Sequence, residues 1–219
     1  GKVLLTGASG FIGRWLRDTL LEQGSDVLAI RRPGSPAART GRSVEATYDD
    51  LAGLKRIMAS ERPDYVLHVA GATKGRTYAD FEGLKRFVHV SSLAAYGPSR
   101  PGQPLRETDP RRPVEFYGES KLASERVVER AKVPYTIIRP SGVYGPRDVD
   151  MFELFKLARS RVNLFFGNRK SWGSFVYVDD VVSAILRAGA AKAAEGRGYF
   201  LADGEPITWE TLQADIMAV

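Results

Sequence analysis

The chain has 219 residues, 43% hydrophobic and 26% charged, the balance of an ordinary globular protein with one core. No run approaches the ~18 apolar residues of a membrane span, and the lack of cysteine excludes disulfides, thiolate metal sites and a cysteine nucleophile, which fits a reducing, cytoplasmic setting. The net charge of +6 raises nucleic acid as a partner, but the basic pairs Arg31-Arg32, Arg111-Arg112 and Arg169-Lys170 fall in separate loops. With no nucleic-acid motif beside them, a solvated basic surface with a local anion site is the expected reading.

In chain order, Lys2–Thr6 reads as a strand rather than as a secretory leader. A helix follows Gly10, with Phe11, Ile12, Trp15, Leu16 and Leu20 at helical spacing and Gly24 ending it. Asp26–Ile30 is the second strand and Ser43–Thr47 a short third. A helix from Leu51 to Ser60 precedes strands at Tyr65–Ala70 and Arg86–Ser91. Gly97–Pro113 is one long loop, of the kind that is often functional in a compact domain. A helix from Tyr117 to Ala131 leads into a strand at Tyr135–Arg139. Phe175–Val178 is a further strand, and Asp179 or Asp180 should cap the helix that runs on to Ala188. A strand at Tyr199–Ala202 and a helix from Thr208 complete the pattern. Strands alternating with helices predict an α/β fold with a doubly wound parallel sheet. Residues 1–145 and 175–195 form its nucleotide-binding domain, and 146–174 with 196–219 a small substrate-binding portion.

One connection is cramped. Parallel neighbours need a crossover of a dozen or more residues, usually helical. Only Gly71–Lys85 joins the fourth and fifth strands, and Gly75 and Gly83 interrupt it. The sequence reads as though residues were missing around Phe81–Gly83.

The chemistry-bearing residues stand at the ends of these elements. In Thr6-Gly-Ala-Ser-Gly-Phe-Ile-Gly13, Gly7 permits a tight turn, Gly10 a close approach to a pyrophosphate, and Gly13 close helix–strand packing. The helix N-terminus offers free N–H groups and a positive dipole end. Arg31 and Arg32 follow the second strand, where an acid would bind the ribose 2′-hydroxyl and an Arg would accommodate a 2′-phosphate. They point to NADP in preference to NAD. Ser92 lies at a strand's C-terminal end, and Tyr117 has Lys121 four residues on, on the same helical face. A phenol ordinarily ionises near pH 10; a neighbouring ammonium favours the phenolate and makes Tyr117 an acid/base. Lys121 can also hold the nicotinamide ribose, and Ser92 can donate to a substrate oxygen. His68 and His89 lie in strands and read as packed rather than metal-bound, and no metal site is expected. Trp172 and Phe165-Phe166 are candidates for the substrate pocket.

The ordered set Thr6–Gly13, His68-Val-Ala-Gly71, Val90–Gly97, Tyr117-Gly-Glu-Ser-Lys121, Arg139-Pro-Ser-Gly-Val-Tyr-Gly-Pro146 and Phe175-Val-Tyr-Val-Asp-Asp-Val-Val182 resembles the extended short-chain dehydrogenase/reductase family, also called the NAD-dependent epimerase/dehydratase family. The resemblance implies a Rossmann fold and a cytoplasmic, homodimeric enzyme acting on a small-molecule carbonyl or alcohol, with no nucleic-acid or membrane partner. By it, Ser92, Tyr117 and Lys121 match the catalytic serine, tyrosine and lysine. Gly7, Gly10, Phe11, Ile12 and Gly13 match the cofactor turn, Ala70 and Gly71 line the adenosine, and Pro140 to Val143 the nicotinamide end. Leu93 and Ala94 stand where dehydratases carry an Asp-Glu pair, which counts against elimination. Gly173 and Ser174 stand where many sugar-nucleotide members place an Arg for a diphosphate. That favours a branch resembling 3β-hydroxysteroid dehydrogenases and dihydroflavonol-type reductases. Thr47 replaces an acid usual near the adenine. The expected activity is hydride transfer between a nicotinamide and a secondary alcohol or ketone. The alternatives are a sugar-nucleotide 4-epimerase and a non-catalytic NADP sensor or scaffold.

Overall fold

The computed structural model describes residues 1–37, 40–71, 83–100, 102–159 and 168–218. The strands are β1 (Lys2–Thr6), β2 (Asp26–Arg31), β3 (Arg42–Glu45), β4 (Tyr65–His68), β5 (Arg86–Val90), β6 (Tyr135–Pro140), β7 (Gly142–Tyr144), β8 (Trp172–Tyr177), β9 (Arg197–Leu201) and β10 (Asp203–Thr208). The helices are α1 (Phe11–Glu22), α2 (Leu51–Glu61), α3 (Phe116–Arg130), α4 (Val149–Arg159), α5 (Val178–Ala190) and α6 (Trp209–Ala218). A seven-stranded sheet has the order β3-β2-β1-β4-β5-β6-β9, parallel throughout. Alternate residues of each strand feed two cores. Val3, Leu5, Val27, Ala29, Leu67 and Val88 pack with Leu16 and Leu20 of α1 and Val181 and Ile185 of α5. Leu4, Leu28, Ile30, Val66, Phe87 and Ile137 pack on the other face with Leu54 and Met58 of α2 and Val128 of α3. Cover on both faces explains why these strands read as continuous apolar runs. Strand order reverses between β1 and β4, so a crevice opens at their C-terminal ends, where doubly wound sheets hold ligands.

In a second sheet, β10-β8-β7, α6 packs on β10 and α4 on α6, while α5 packs on β7 and β8. β7, α4 and β10 were not individually legible: β7 has three residues, and Gly142 reads as a turn. Two expectations are corrected. β9 lies in the stretch assigned to the substrate portion, yet it pairs along β6 from Thr136↔Arg197 to Pro140↔Leu201. Its side chains Tyr199 and Leu201 pack against the main core, and that burial draws it into the large sheet. Neither Asp179 nor Asp180 caps α5. The helix already starts at Val178 after Tyr177, with no side-chain cap, so both carboxylates stand in its first turn, where they complement the dipole. β4 and β5 are direct parallel neighbours, in register from Tyr65↔Arg86 to His68↔His89. Residues 72–82, on which most of the cramped crossover falls, lie outside the described residues, as do Phe165 and Phe166.

Candidate active site

The turn between β1 and α1 is built on backbone proximity. Gly7 has φ +72°, and a Cβ there would lie 2.7 Å from the Ala70 nitrogen; a Cβ on Gly13 would lie 2.0 Å from the Gly7 carbonyl oxygen. Only glycines allow α1 to start this close to β1 and β4. Gly10 precedes α1 without a side-chain cap, which leaves the first N–H groups, those of Phe11 and Ile12 among them, open to an anion. A cleft of about 560 Å³ runs from this turn past Arg31, Arg32 and Tyr48 to Ala70 and Gly71. Its shape, its glycine turn and its uncapped helix end fit a dinucleotide.

Arg31 lines this cleft but is not free. Its guanidinium pairs with Glu45 at 2.5 Å and donates to the Ser35 carbonyl at the same distance, while its Nε is buried without a hydrogen-bond partner among the described residues. Sequence reasoning missed Glu45, which is the residue directly across from Arg31 in the β2–β3 register. It also missed Tyr48, whose phenol bonds to the Thr6 side chain and the Gly7 backbone; burial pushes that phenol above its ordinary value against those two bonds. Its position just past a strand's C-terminal end was the available signal.

The second half of the site assembles where α3 begins. Ser92 follows β5 in extended conformation, and its Oγ accepts the Ala94 N–H at 3.2 Å. That bond leaves the hydroxyl proton available to a ligand. Gly118 lets α3 press against this turn, since a Cβ there would lie 2.4 Å from the Ala94 carbonyl oxygen. Ser92 and Tyr117 thereby line one cleft of about 520 Å³, together with Leu93, Pro98, Val114 and Pro140. Tyr117 is 54% exposed and Lys121 only 4%. The Lys121 ammonium lies 5.6 Å from the Tyr117 ring centroid and donates to the Val90 carbonyl at 3.3 Å. Burial pushes its pKa below the ordinary lysine value, opposed by the charge of Glu125.

Beneath Lys121 the α3 face of the sheet is polar. Ser124 donates to the Lys121 carbonyl and bonds His89 Nε2 at 2.9 Å. The His89 ring stacks on His68 at 5.4 Å, and His68 Nδ1 bonds Thr6 at 2.8 Å. Burial, then the Lys121 and Arg139 charges, lowers His89 to about 3; burial, then His89 and Lys121, takes His68 well below its ordinary value. Both rings are neutral structural groups at physiological pH. One turn past Lys121, fully buried Glu125 accepts two bonds from Arg139, at 2.9 and 3.0 Å, and one from Arg111 at 2.7 Å. Burial alone would raise this carboxyl, but Arg139, Ser91 and Arg111 hold it below its ordinary value.

Of the residues expected at the site, Gly7, Gly10, Arg31, Arg32, Ala70 and Gly71 meet in the first cleft, and Ser92, Tyr117 and Pro140 in the second. Gly13 is buried under the turn. Ile12 and Val143 pack against the core. Trp172 is largely exposed at the start of β8 and is not on the cleft wall.

A family model described as "NAD dependent epimerase/dehydratase family" matches residues 3–82 and 76–202. The chain belongs to this family. The two matched pieces meet at the cramped crossover. The chain is 28% identical to the UDP-glucose 4-epimerase of Mycolicibacterium smegmatis, over 86% of this chain and 73% of that protein. That alignment spans 228 residues, more than this chain's whole length, so the relative carries residues that this one lacks. It is 29% identical to the 3-beta-hydroxysteroid dehydrogenase of Mycolicibacterium neoaurum, over 94% and 67%. The structure of the Bordetella bronchiseptica enzyme WbmH in complex with NAD+ superposes with a TM-score of 0.81 at 25% identity, covering 100% of this chain and 81% of that one. This member of the family therefore has an NAD-binding type of Rossmann fold among epimerases and dehydrogenases. Among the described residues, no helix is long and apolar enough to cross a membrane.

Proposed function

We propose that the protein is an NADP(H)-preferring oxidoreductase that interconverts a secondary alcohol and a ketone. The observation that carries this reading is the single cleft shared by Ser92 and Tyr117, with the Lys121 ammonium buried against the Tyr117 ring. A bound nicotinamide would supply the hydride-transfer chemistry at the carbonyl carbon. Gly7, Gly10 and the α1 N–H groups would hold its pyrophosphate, and Arg31 and Arg32 its adenosine end. Ser92 donates to the substrate oxygen and fixes the carbonyl. In reduction Tyr117 Oη delivers the proton to that oxygen as the C=O bond becomes C–O–H; in oxidation it removes it. Lys121 stabilises the phenolate left behind. The mainly apolar wall supports a substrate without a phosphate at the reacting end: among the described residues, no Lys or Arg lines this cleft.

General acid–base catalysis contributes roughly 10²–10⁴-fold. Tyr117→Phe should therefore bind NADPH as the parent does and lose at least ~10²-fold in turnover on a panel of ketones. Near-parental turnover in the pure Phe variant would remove Tyr117 from the chemistry. A second reading, a 4-epimerase that oxidises a sugar nucleotide and re-reduces it on the other face, is favoured by the M. smegmatis relative. Turnover of UDP-sugars without added cofactor would establish it instead.

A further inference from the structure

The loop Gly97–Pro113, which brings Pro98 to the catalytic cleft, also carries a second concave surface. It is cross-tied rather than slack. The Arg112 N–H donates to the Tyr96 carbonyl at 3.2 Å and closes the neck. The Tyr96 hydroxyl donates to the Glu107 carbonyl at 2.8 Å. Arg100 and Gln103 form a β-bridge, and the Asp109 N–H bonds the Arg106 carbonyl at 3.0 Å. A loop closed this way holds its side chains in fixed relation. They surround a groove of about 700 Å³ lined by Arg100, Arg106 and Arg112, with Leu105 and Asp109. Pro98 and Val114 belong to both this groove and the catalytic cleft, so the two adjoin.

The charge of the groove is lopsided. Among the described residues, none of the three guanidinium groups is in an ion pair. Arg111, next to Arg112 in sequence, is committed instead to Glu125 and Glu129. The Asp109 carboxylate accepts the Arg106 backbone N–H at 2.8 Å, and the Glu107 carboxylate accepts that of Phe200. Three planar donor forks around one groove match a carboxylate or a phosphate, which guanidinium binds in bidentate fashion.

We propose that this groove binds an anionic group, carboxylate or phosphate monoester, at the far end of the substrate whose reacting carbon lies at Ser92 and Tyr117. The substrate is then an acidic amphiphile: an alcohol or ketone at one end, an apolar middle against Leu93, Pro98 and Val114, and an anion on Arg100, Arg106 and Arg112. The proposal rests on the oxidoreductase reading for the position of the reacting carbon.

The test uses straight-chain methyl ketones of graded length in three forms: uncharged, ending in a carboxylate, and ending in a phosphate monoester. Calorimetry in the presence of oxidised NADP measures binding without turnover. At the length that spans cleft and groove, at least one charged form should bind roughly 10- to 100-fold more tightly than its uncharged partner, the scale of a charge-assisted contact. The more tightly bound form identifies the head group. Arg100→Ala, Arg106→Ala and Arg112→Ala together should bring the ratio to within about 3-fold of unity. Removing three exposed charges elsewhere, by Arg126→Ala, Arg130→Ala and Lys132→Ala, should preserve it. Equal binding of all three forms by the parent, or a preference that survives the groove variant, overturns the proposal. Turnover with NADPH separates the two readings. A binding preference with no turnover of any form leaves the groove standing and rejects the reductase; turnover of the uncharged ketones without a binding preference does the reverse.

Discussion

Arg31 shows how one residue's meaning depends on another far away in sequence. Alone it is a cation beside a cofactor cleft; with Glu45 across the strand pair it is partly neutralised. Charge-assisted contacts contribute about 1.5–3 kcal/mol, or roughly 10- to 150-fold. Because Glu45 competes for the guanidinium, the preference for NADPH over NADH should fall near the lower end of that range. Glu45→Gln should raise the preference, and Arg31→Ala should abolish it. Separate titrations with the two cofactors measure the ratio; a ratio unmoved by both substitutions would mean that Arg31 does not read the 2′-phosphate. Tyr117, Lys121 and Ser92 were legible in the sequence because their relation is local: a helical i,i+4 pair, and a serine where an apolar strand ends. Glu45 was not, because only the β2–β3 register places it opposite Arg31.

At the scale of elements, α3 is the helix that carries Tyr117 and Lys121, the proposed catalytic pair, and its anchor is electrostatic. Glu125 is fully buried between Arg139 on β6 and Arg111 in the loop. Removing one partner of such a buried set strands the others and costs about 3–5 kcal/mol. Glu125→Ala should therefore lower the unfolding free energy from chemical denaturation by that amount. Glu129→Ala, which takes only the outer, half-exposed partner of Arg111, should cost about 1 kcal/mol or less. Equal losses in the two variants would show that the buried cluster is not what seats the helix. The chain order of the main sheet was readable from alternating apolar runs and helical spacing. The small sheet was readable only in β8: β7 has three residues and begins at Gly142, and β10 carries Gly204 and Pro206, so periodicity gives no face to follow.

For the molecule as a whole, His68 and His89 tie folding to pH. Both are neutral in the folded chain, with His89 at about 3 and His68 well below its ordinary value. Unfolded histidine ionises near 6.5. Between these limits the unfolded chain binds more protons than the folded one, so stability falls as pH drops below ~6.5, by about 1.4 kcal/mol per unit for each ring once it is protonated only in the unfolded chain. Glu125, held below its ordinary value by its arginines, adds a loss only at lower pH, through the carboxylate range. Urea midpoints across the interval above that range should slope downward toward acid, and His89→Asn should flatten the slope by about half. A parent protein with no slope there would mean that the rings are not buried as neutral groups.

After β6 the chain leaves the large sheet for β7 and β8, returns through α5 to lay β9 beside β6, and departs again for β10. The large sheet and the small sheet are thus laced together by repeated passages of one thread. No single junction divides them, so no one cut of the chain separates the large sheet from the small one. On the proposed function, substitutions in surface stretches such as Gly97–Pro113 can change substrate preference while the thread behind them stays as it is.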